Sequence, residues 1–119
     1  MASEFVHLHN HSDYSLLDGA QRVDQLVNTI DDLNMDSLAL TEHGNMFSVI
    51  PFYKNAKKQG IKPIIGCETY VAVGSRHDKK QIAGGGWGNN HLILLAQNQI
   101  GYQNLMKLVT IGYLEGFYY

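Results

Sequence analysis

The sequence predicts an α/β fold built from parallel β-α-β units, and three observations carry that expectation. Short β-prone segments alternate along the chain with segments whose apolar residues recur at helical spacing. No internal repeat or linker interrupts the alternation. Histidines and carboxylates fall near the ends of the predicted strands, where parallel α/β folds gather their ligands.

The elements follow in order. Segment 4–9 is short and β-prone and ends at the histidines, so it reads as a strand. Segment 12–20 is polar and then turn-like, with Asp18-Gly19 as the turn signal. Segment 21–34 places Val23, Leu26, Val27, Ile30 and Leu33 at helical spacing and predicts an amphipathic helix. Segment 37–41 is a second strand. Segment 46–59 predicts a helix with Ile50, Tyr53 and Ala56 inward and Gly60 as its stop. Pro51 is compatible with a helix only in its first turn, so this one starts near Phe47 or Ser48. Segment 62–73 is a long β-rich stretch and 74–90 a polar loop containing Gly84-Gly85-Gly86-Trp87-Gly88. Segment 91–96 is the most apolar strand. Segment 101–115 carries Leu105, Leu108, Val109 and Gly112 on one helical face.

Composition narrows the function. The chain has 119 residues, 45% hydrophobic and 17% charged, enough apolar material for one small packed domain. A formal net charge of -2 argues against clamping nucleic acid by bulk positive charge. Phosphate chemistry remains open to it, because bound metal ions would supply the missing charge. The single cysteine, Cys67, excludes a disulfide within the chain and fits a reducing cytosol. Met1 to Phe5 has no basic region followed by an apolar run, and no apolar run approaches a membrane span. A cytoplasmic location without membrane contact is expected.

The chemistry starts at Val6-His7-Leu8-His9-Asn10-His11-Ser12. Side chains at i and i+2 of a strand share a face, so His9 and His11 project together, with His7 one step deeper. Imidazole binds metal at neutral pH because a large fraction is uncharged. An isolated His-x-His is a common and weak signal, but further candidates accompany it. Asp18 lies in the loop after the first strand, His43 follows the second, Glu68 lies within the third and His91 is at the start of the fourth. Imidazole with carboxylate suits zinc, manganese or iron better than magnesium alone.

These motifs carry a resemblance. His9-Asn10-His11-Ser12, then Tyr14-Ser15-Leu16-Leu17-Asp18-Gly19, then Thr41-Glu42-His43-Gly44-Asn45-Met46 resemble the PHP (polymerase and histidinol phosphatase) superfamily. Ile61-Lys62-Pro63-Ile64-Ile65-Gly66-Cys67-Glu68, His91-Leu92-Ile93-Leu94-Leu95-Ala96-Gln97-Asn98 and Gly101-Tyr102-Gln103-Asn104-Leu105 are similar to the branch at the amino terminus of bacterial replicative DNA polymerases. The motifs span residues 5 to 119, and their joint occurrence in this order is specific.

The resemblance implies a distorted (β/α)7 TIM-like barrel with a cluster of up to three divalent metals at the C-terminal strand ends. It implies that His9, His11, Asp18, His43, Glu68 and His91 are metal ligands. Glu68 would bridge two metals, and Glu68 and Asp18 would be the carboxylates closest to the chemistry. His7 falls where the family has no ligand and is expected to support or pack. The family's last motifs hold further histidines and a final Asp-x-His, and no histidine follows His91 here. Residues 1–119 are therefore expected to be the first part of a PHP domain, with an incomplete or empty metal cluster and a tendency to self-associate.

The implied activity of the complete domain is metal-dependent phosphoester hydrolysis, of the kind a 3′–5′ proofreading exonuclease performs. Its partners would be DNA, through the parent polymerase, and other replisome subunits. One alternative is a non-catalytic docking module for a separate proofreading subunit. Another is a free-standing small-molecule phosphatase, against which Gly101-Tyr102-Gln103-Asn104-Leu105 and the glycine-rich loop speak. An amidohydrolase also opens on His-x-His, but Thr41-Glu42-His43-Gly44 does not belong to that pattern. Lys57-Lys58 and the cluster from Arg76 to Lys80 read as solvated surface. Trp87 reads as packing over its loop, Tyr118-Tyr119 as a continuing chain, and Cys67, alternating with Glu68, as a buried core thiol.

Overall fold

A computed structural model of the chain describes residues 4–79 and 89–116. The glycine-rich stretch with Trp87, Lys80, and Tyr118-Tyr119 lie outside the described residues. The elements are α1 (Val23–Asp32), β1 (Ser37–Leu40), α2 (Val49–Lys58), β2 (Lys62–Ala72), β3 (Asn89–Leu95) and α3 (Gln99–Ile111), the last running into a π-helical turn at Gly112–Gly116.

α1 follows its periodicity. Val23, Leu26, Val27 and Ile30 stand at i, i+3, i+4 and i+7, and all four are buried. The helix ends in a left-handed turn at Asn34, φ 55°. There the Met35 amide donates to the Ile30 carbonyl at 3.0 Å and the Asn34 amide to Asp31 at 2.9 Å, satisfying carbonyls the helix leaves free. α2 ends in the same way at Gly60, φ 77°. The Ile61 amide reaches the Ala56 carbonyl at 2.9 Å. Gly60 is thus the predicted stop, and Pro51 sits in the first turn as expected.

The inward face of α2 differs from expectation. Val49, Phe52 and Ala56 are buried, while Ile50 and Tyr53 are more than half exposed or at half exposure, at 58% and 50%. Spacings of three and then four residues keep Val49, Phe52 and Ala56 on one stripe of a helix with 3.6 residues per turn, and Ile50 lies about 100° away from it.

β1 is buried along its whole length and pairs in parallel with the first half of β2, from Ser37↔Lys62 to Leu40↔Ile65. The core lies between this parallel pair and the two helices: Val23, Leu26, Val27, Ile30, Leu38, Leu40, Phe52, Ala56 and Ile61, with Met35 and Ile65 against them.

Two strand expectations need correction. The fourth predicted strand, β3, begins at Asn89 and runs antiparallel to the second half of β2, from Gly66↔Leu95 to Ala72↔Asn89. A parallel return needs a crossover of about a dozen residues or more, normally helical. Residues 73–79 hold turns and no helix, so the chain folds back beside the strand it left. The sheet is mixed, in the order β1-β2-β3. The first predicted strand, 4–9, reduces to one bridge, His7 with Leu38. Ala39 donates to the His7 carbonyl and Thr41 to the Asn10 carbonyl, each at 2.9 Å, so three steps on one side oppose two on the other. That extra residue breaks the ladder in the manner of a bulge.

α3 starts earlier than predicted, because the Asn98 side chain caps it by accepting from the Gly101 amide. Leu105 is its one buried residue, and Leu108, expected on the same face, is 51% exposed. The basic residues after β2 are paired rather than free: Arg76 donates to Glu115 at 2.6 Å and Lys79 to the Glu115 carbonyl at 2.5 Å. Among the described residues no helix is long and apolar enough to cross a membrane.

Candidate metal centre

The extra residue at 7–10 sets up the site. Asn10 replaces the lost ladder bonds with its own: its amide donates to Thr41 Oγ1 at 3.1 Å and its side chain to the Ala39 carbonyl at 3.0 Å. His9 and His11 on either side of it then turn their Nε2 atoms towards each other at 3.1 Å. The chain next makes a tight turn through Ser12, Ser15 and Gly19, with the Gly19 amide donating to the Ser15 carbonyl at 2.8 Å. A Cβ on Gly19 would lie 1.7 Å from the Ser12 carbonyl oxygen, so only glycine lets Asp18 come round to the cluster.

Glu68 sits where β2 exchanges one partner for the other. The parallel ladder with β1 ends at Ile65, and a single bridge to His43 follows. There the Glu68 amide donates to the Glu42 carbonyl at 3.0 Å and the Gly44 amide to the Glu68 carbonyl at 2.8 Å. Glu68 is thus just past the C-terminal end of the parallel ladder, which is why a mid-strand residue shares the site. His91 comes from β3, opposite Tyr70 and diagonal to Glu68, within reach across an antiparallel pair.

All six predicted site residues meet. Glu68 Oε2 accepts from His9 Nε2 at 2.7 Å and lies 3.0 Å from His11 Nε2, while Oε1 accepts from His91 Nδ1 at 2.5 Å. His43 Nδ1 is 3.6 Å from Glu68 Oε2, and its Nε2 donates to Asp18 Oδ2 at 2.7 Å. The rings of His11 and His43 stack at 4.0 Å. Glu68 is buried, His9 and His91 are half exposed, and an open depression of about 340 Å³ lies beside His9, His11 and Asp18. His7 stays outside: it is exposed, with its ring edge-on to Phe5 at 4.8 Å.

The electrostatics follow from these contacts. Burial pushes the Glu68 carboxyl up, but hydrogen bonds from His9 and His91 and the charge of His43 outweigh it and hold the group below its ordinary range. The bond from His43 holds Asp18 low as well. On the other face of β2, Cys67 is fully buried, its thiol donating to the Glu42 carbonyl at 3.5 Å. Burial, then the charges of Glu42 and Glu68, push that thiol up to about 11. At pH 7.5 Cys67 is therefore expected to resist iodoacetamide in the folded chain and to react after unfolding in guanidinium, with mass spectrometry reading the adduct.

The donor set fits a metal. His9, His11 and Glu68 form one group of three donor atoms, and His43, Glu68 and His91 a second, each within 4.8 Å. Ligands about 2.0–2.1 Å from a tetrahedral zinc are roughly 3.3 Å apart, close to the spacings around Glu68 Oε2. His43 Nδ1 is buried and has no hydrogen-bond partner, yet it faces Glu68. With Asp18 taking the proton on Nε2, the free lone pair on Nδ1 is left for a cation, the usual way a carboxylate orients a ligating imidazole. Asp18 belongs to neither group of three and acts on His43 from outside.

Two neighbours of the site escape the sequence reading. Tyr70 lies parallel to the His43 ring at 6.3 Å and edge-on to His91 at 4.9 Å. Its place depends on the antiparallel pairing with His91, so a parallel expectation hides it. Glu42 is buried beneath the cluster and accepts hydrogen bonds from Ser12, Ser15 and Ser48. The one sequence signal for it is its place directly before His43 in Thr41-Glu42-His43-Gly44.

A mixed sheet with helices packed on it, and imidazoles gathered around one buried carboxylate, makes this an α/β protein with a candidate metal centre. Within that class the chain belongs to the PHP domain family, whose pattern it matches over residues 7–119. It is 57% identical over 117 residues to the DNA polymerase III subunit alpha of Borreliella burgdorferi, covering 98% of this chain and 10% of that protein. It is 53% identical over 115 residues to the subunit of the same name in Treponema pallidum, covering 97% and 10%. The chain thus spans about a tenth of the length of the curated relatives it matches. Among solved structures it is similar to an amidohydrolase from Chromobacterium violaceum, with a TM-score of 0.57 and 23% identity over 92% of this chain and 34% of that one. It is equally similar, at 0.57, to a protein from Bifidobacterium adolescentis described as a metal-dependent phosphoesterase, with 14% identity over 90% and 34%. At these identities the two structures bear on the fold alone, and they support the α/β barrel-type expectation.

Proposed function

We propose that this chain contributes the first part of a metal-dependent phosphoesterase centre acting on phosphodiester bonds of DNA, within a bacterial replicative polymerase subunit of the kind its relatives are named for. The observation that carries the reading is Glu68: a single buried carboxylate shared by two groups of three donors. His9, His11 and one oxygen of Glu68 would hold one divalent ion, and His43, His91 and Glu68 a second. A mixture of imidazole and carboxylate favours zinc, manganese or iron. A bound metal pair supplies an activated water and offsets charge on the phosphate and the leaving oxygen.

The chain's own residues do the rest. Glu68 keeps the two groups at a fixed separation, and its neighbours hold it in the ionised form that donation requires. Asp18 fixes the tautomer and plane of His43. The exposed sides of His9 and His91 leave the cluster open to an incoming strand end. Residues 1–119 are the opening part of a longer PHP domain, in line with the third of each solved neighbour they cover. The setting is the bacterial cytoplasm, with DNA and other replisome subunits as partners.

The test uses the full-length protein, stripped of metal and reloaded with manganese or zinc, on a primer with a 3′-terminal mismatch. Metal-dependent release of the terminal nucleotide, lost on His9→Ala with polymerisation intact, is the expected result. Absence of cleavage with metal demonstrably bound overturns the hydrolytic reading and leaves a docking role for the domain.

A further inference from the structure

Glu42 is an ionisable group that the chemistry above does not use and that solvent does not reach, being 1% exposed. The Ser12 amide donates to both of its oxygens, at 3.2 and 3.1 Å. The Ser12 hydroxyl donates to Oε1 and the Ser15 hydroxyl to Oε2. The Ser48 hydroxyl donates to Oε1 at 2.9 Å. Each of these partners is neutral. A buried carboxylate is expensive to desolvate even when well hydrogen-bonded, and an apolar side chain would fill the space at less cost.

The connections of this network point to a reason. Ser12 directly follows His11. Ser15 begins the turn that delivers Asp18, and its hydroxyl also accepts from the His43 amide at 3.1 Å. Glu42 directly precedes His43, and its carbonyl accepts from the Glu68 amide at 3.0 Å. One side chain therefore ties together the backbone segments that carry His11, Asp18 and His43, and its own main chain holds Glu68. Ser48 adds an independent observation. It stands in the N-cap position of α2, where a serine hydroxyl normally bonds the first free amides of the helix. Here it makes no such bond and turns to Glu42 instead.

We propose that Glu42 is a positioning residue that fixes the relative placement of His11, Asp18 and His43 ahead of metal binding. The proposal rests on the metal reading of the preceding subsection, and its test separates the two. Full-length protein stripped of metal is titrated with cobalt(II), followed by visible absorption and by bound cobalt per chain. Groups that orient metal ligands typically contribute about 10–100-fold in affinity, so Glu42→Ala is expected to weaken cobalt binding by about that factor and to alter the visible spectrum. Glu42→Gln keeps the length and an acceptor oxygen and is expected to recover most of the loss. Ser15→Ala, which removes one hydroxyl shared between Glu42 and the His43 amide, is expected to fall between them, and it carries the test if Glu42→Ala does not fold. Wild-type cobalt affinity and spectrum in a folded Glu42→Ala or in Ser15→Ala overturn the proposal, as does a glutamine variant no better than alanine. Absence of cobalt binding by the unsubstituted protein overturns the metal reading itself, and this inference with it.

Discussion

Replacing Glu68 with glutamine is expected to disrupt both of the metal sites proposed for this chain at once. Each of the four histidines serves one group of donors, whereas Glu68 serves two, with Oε2 towards His9 and His11 and Oε1 towards His91. The amide keeps the shape of the side chain but offers one acceptor oxygen and no charge. Two cations held close together without the carboxylate between them would also repel each other with little to offset it. The expected loss of affinity for zinc or manganese is larger than the roughly 10–100-fold typical of a group that only orients a ligand. Asp18→Asn, which acts through His43, provides that smaller benchmark. Chelator competition with metal analysis by mass spectrometry measures both. Equal losses in the two variants would remove Glu68 from its central place.

The same substitution has a signature without metal. Contacts with His9, His91 and His43 hold the Glu68 carboxyl below its ordinary value of 4.5. A group whose folded pKa is depressed contributes stability that is complete above the unfolded value and is lost as pH falls through the folded one. In the presence of chelator, the unsubstituted protein is therefore expected to lose stability as pH drops below about 4.5, and Glu68→Gln to show a flatter acid limb. Thermal unfolding across that range reads the difference.

The donor residues were legible because their chemistry is carried by residue type. Imidazoles and carboxylates near predicted strand ends need no coordinates to be noticed, and His9, His11, Asp18, His43, Glu68 and His91 do converge. α1 was legible for a different reason: Val23, Leu26, Val27 and Ile30 repeat at one period, and no other element competes for them. What failed depended on pairing across the chain. The direction of β3 is a matter of pairing with β2, and strand propensity is the same in both directions. The break in the first strand comes from one extra residue opposite Ala39 and Thr41, a matter of register that β-propensity does not contain. Glu42 has no periodicity to announce its burial, and its partners come from two separate segments, the turn at Ser12 and Ser15 and the start of α2 at Ser48. The geometry of the cluster depends on these pairings, so residue type points to the side chains that converge while their arrangement comes only from the fold.

The face of α2 offers the sharpest test of the fold, because the sequence places Ile50 and Tyr53 inward where the structure buries Val49 and Phe52. Phe52 is fully buried in the cluster formed with Leu26, Val27, Ile30, Leu38 and Leu40. Truncating a buried phenylalanine costs about 3–5 kcal/mol, made up of lost transfer free energy and the cavity left behind. Domains of this size have only about 5–15 kcal/mol of stability in all, so Phe52→Ala is expected to bring the fold close to its limit. Ile50 and Tyr53, read from the sequence as inward, are half exposed or more. Their alanine variants are expected to stay near the roughly 0.5 kcal/mol usual for surface positions. Urea denaturation of the three variants at constant metal content gives the ranking, and Phe52→Leu supplies a milder variant if alanine unfolds the protein. Comparable losses at positions 50 and 52 would mean that α2 is rotated about its axis. Rotation would also move Ser48 away from Glu42, so the register of this helix bears directly on the placement of His11 and His43.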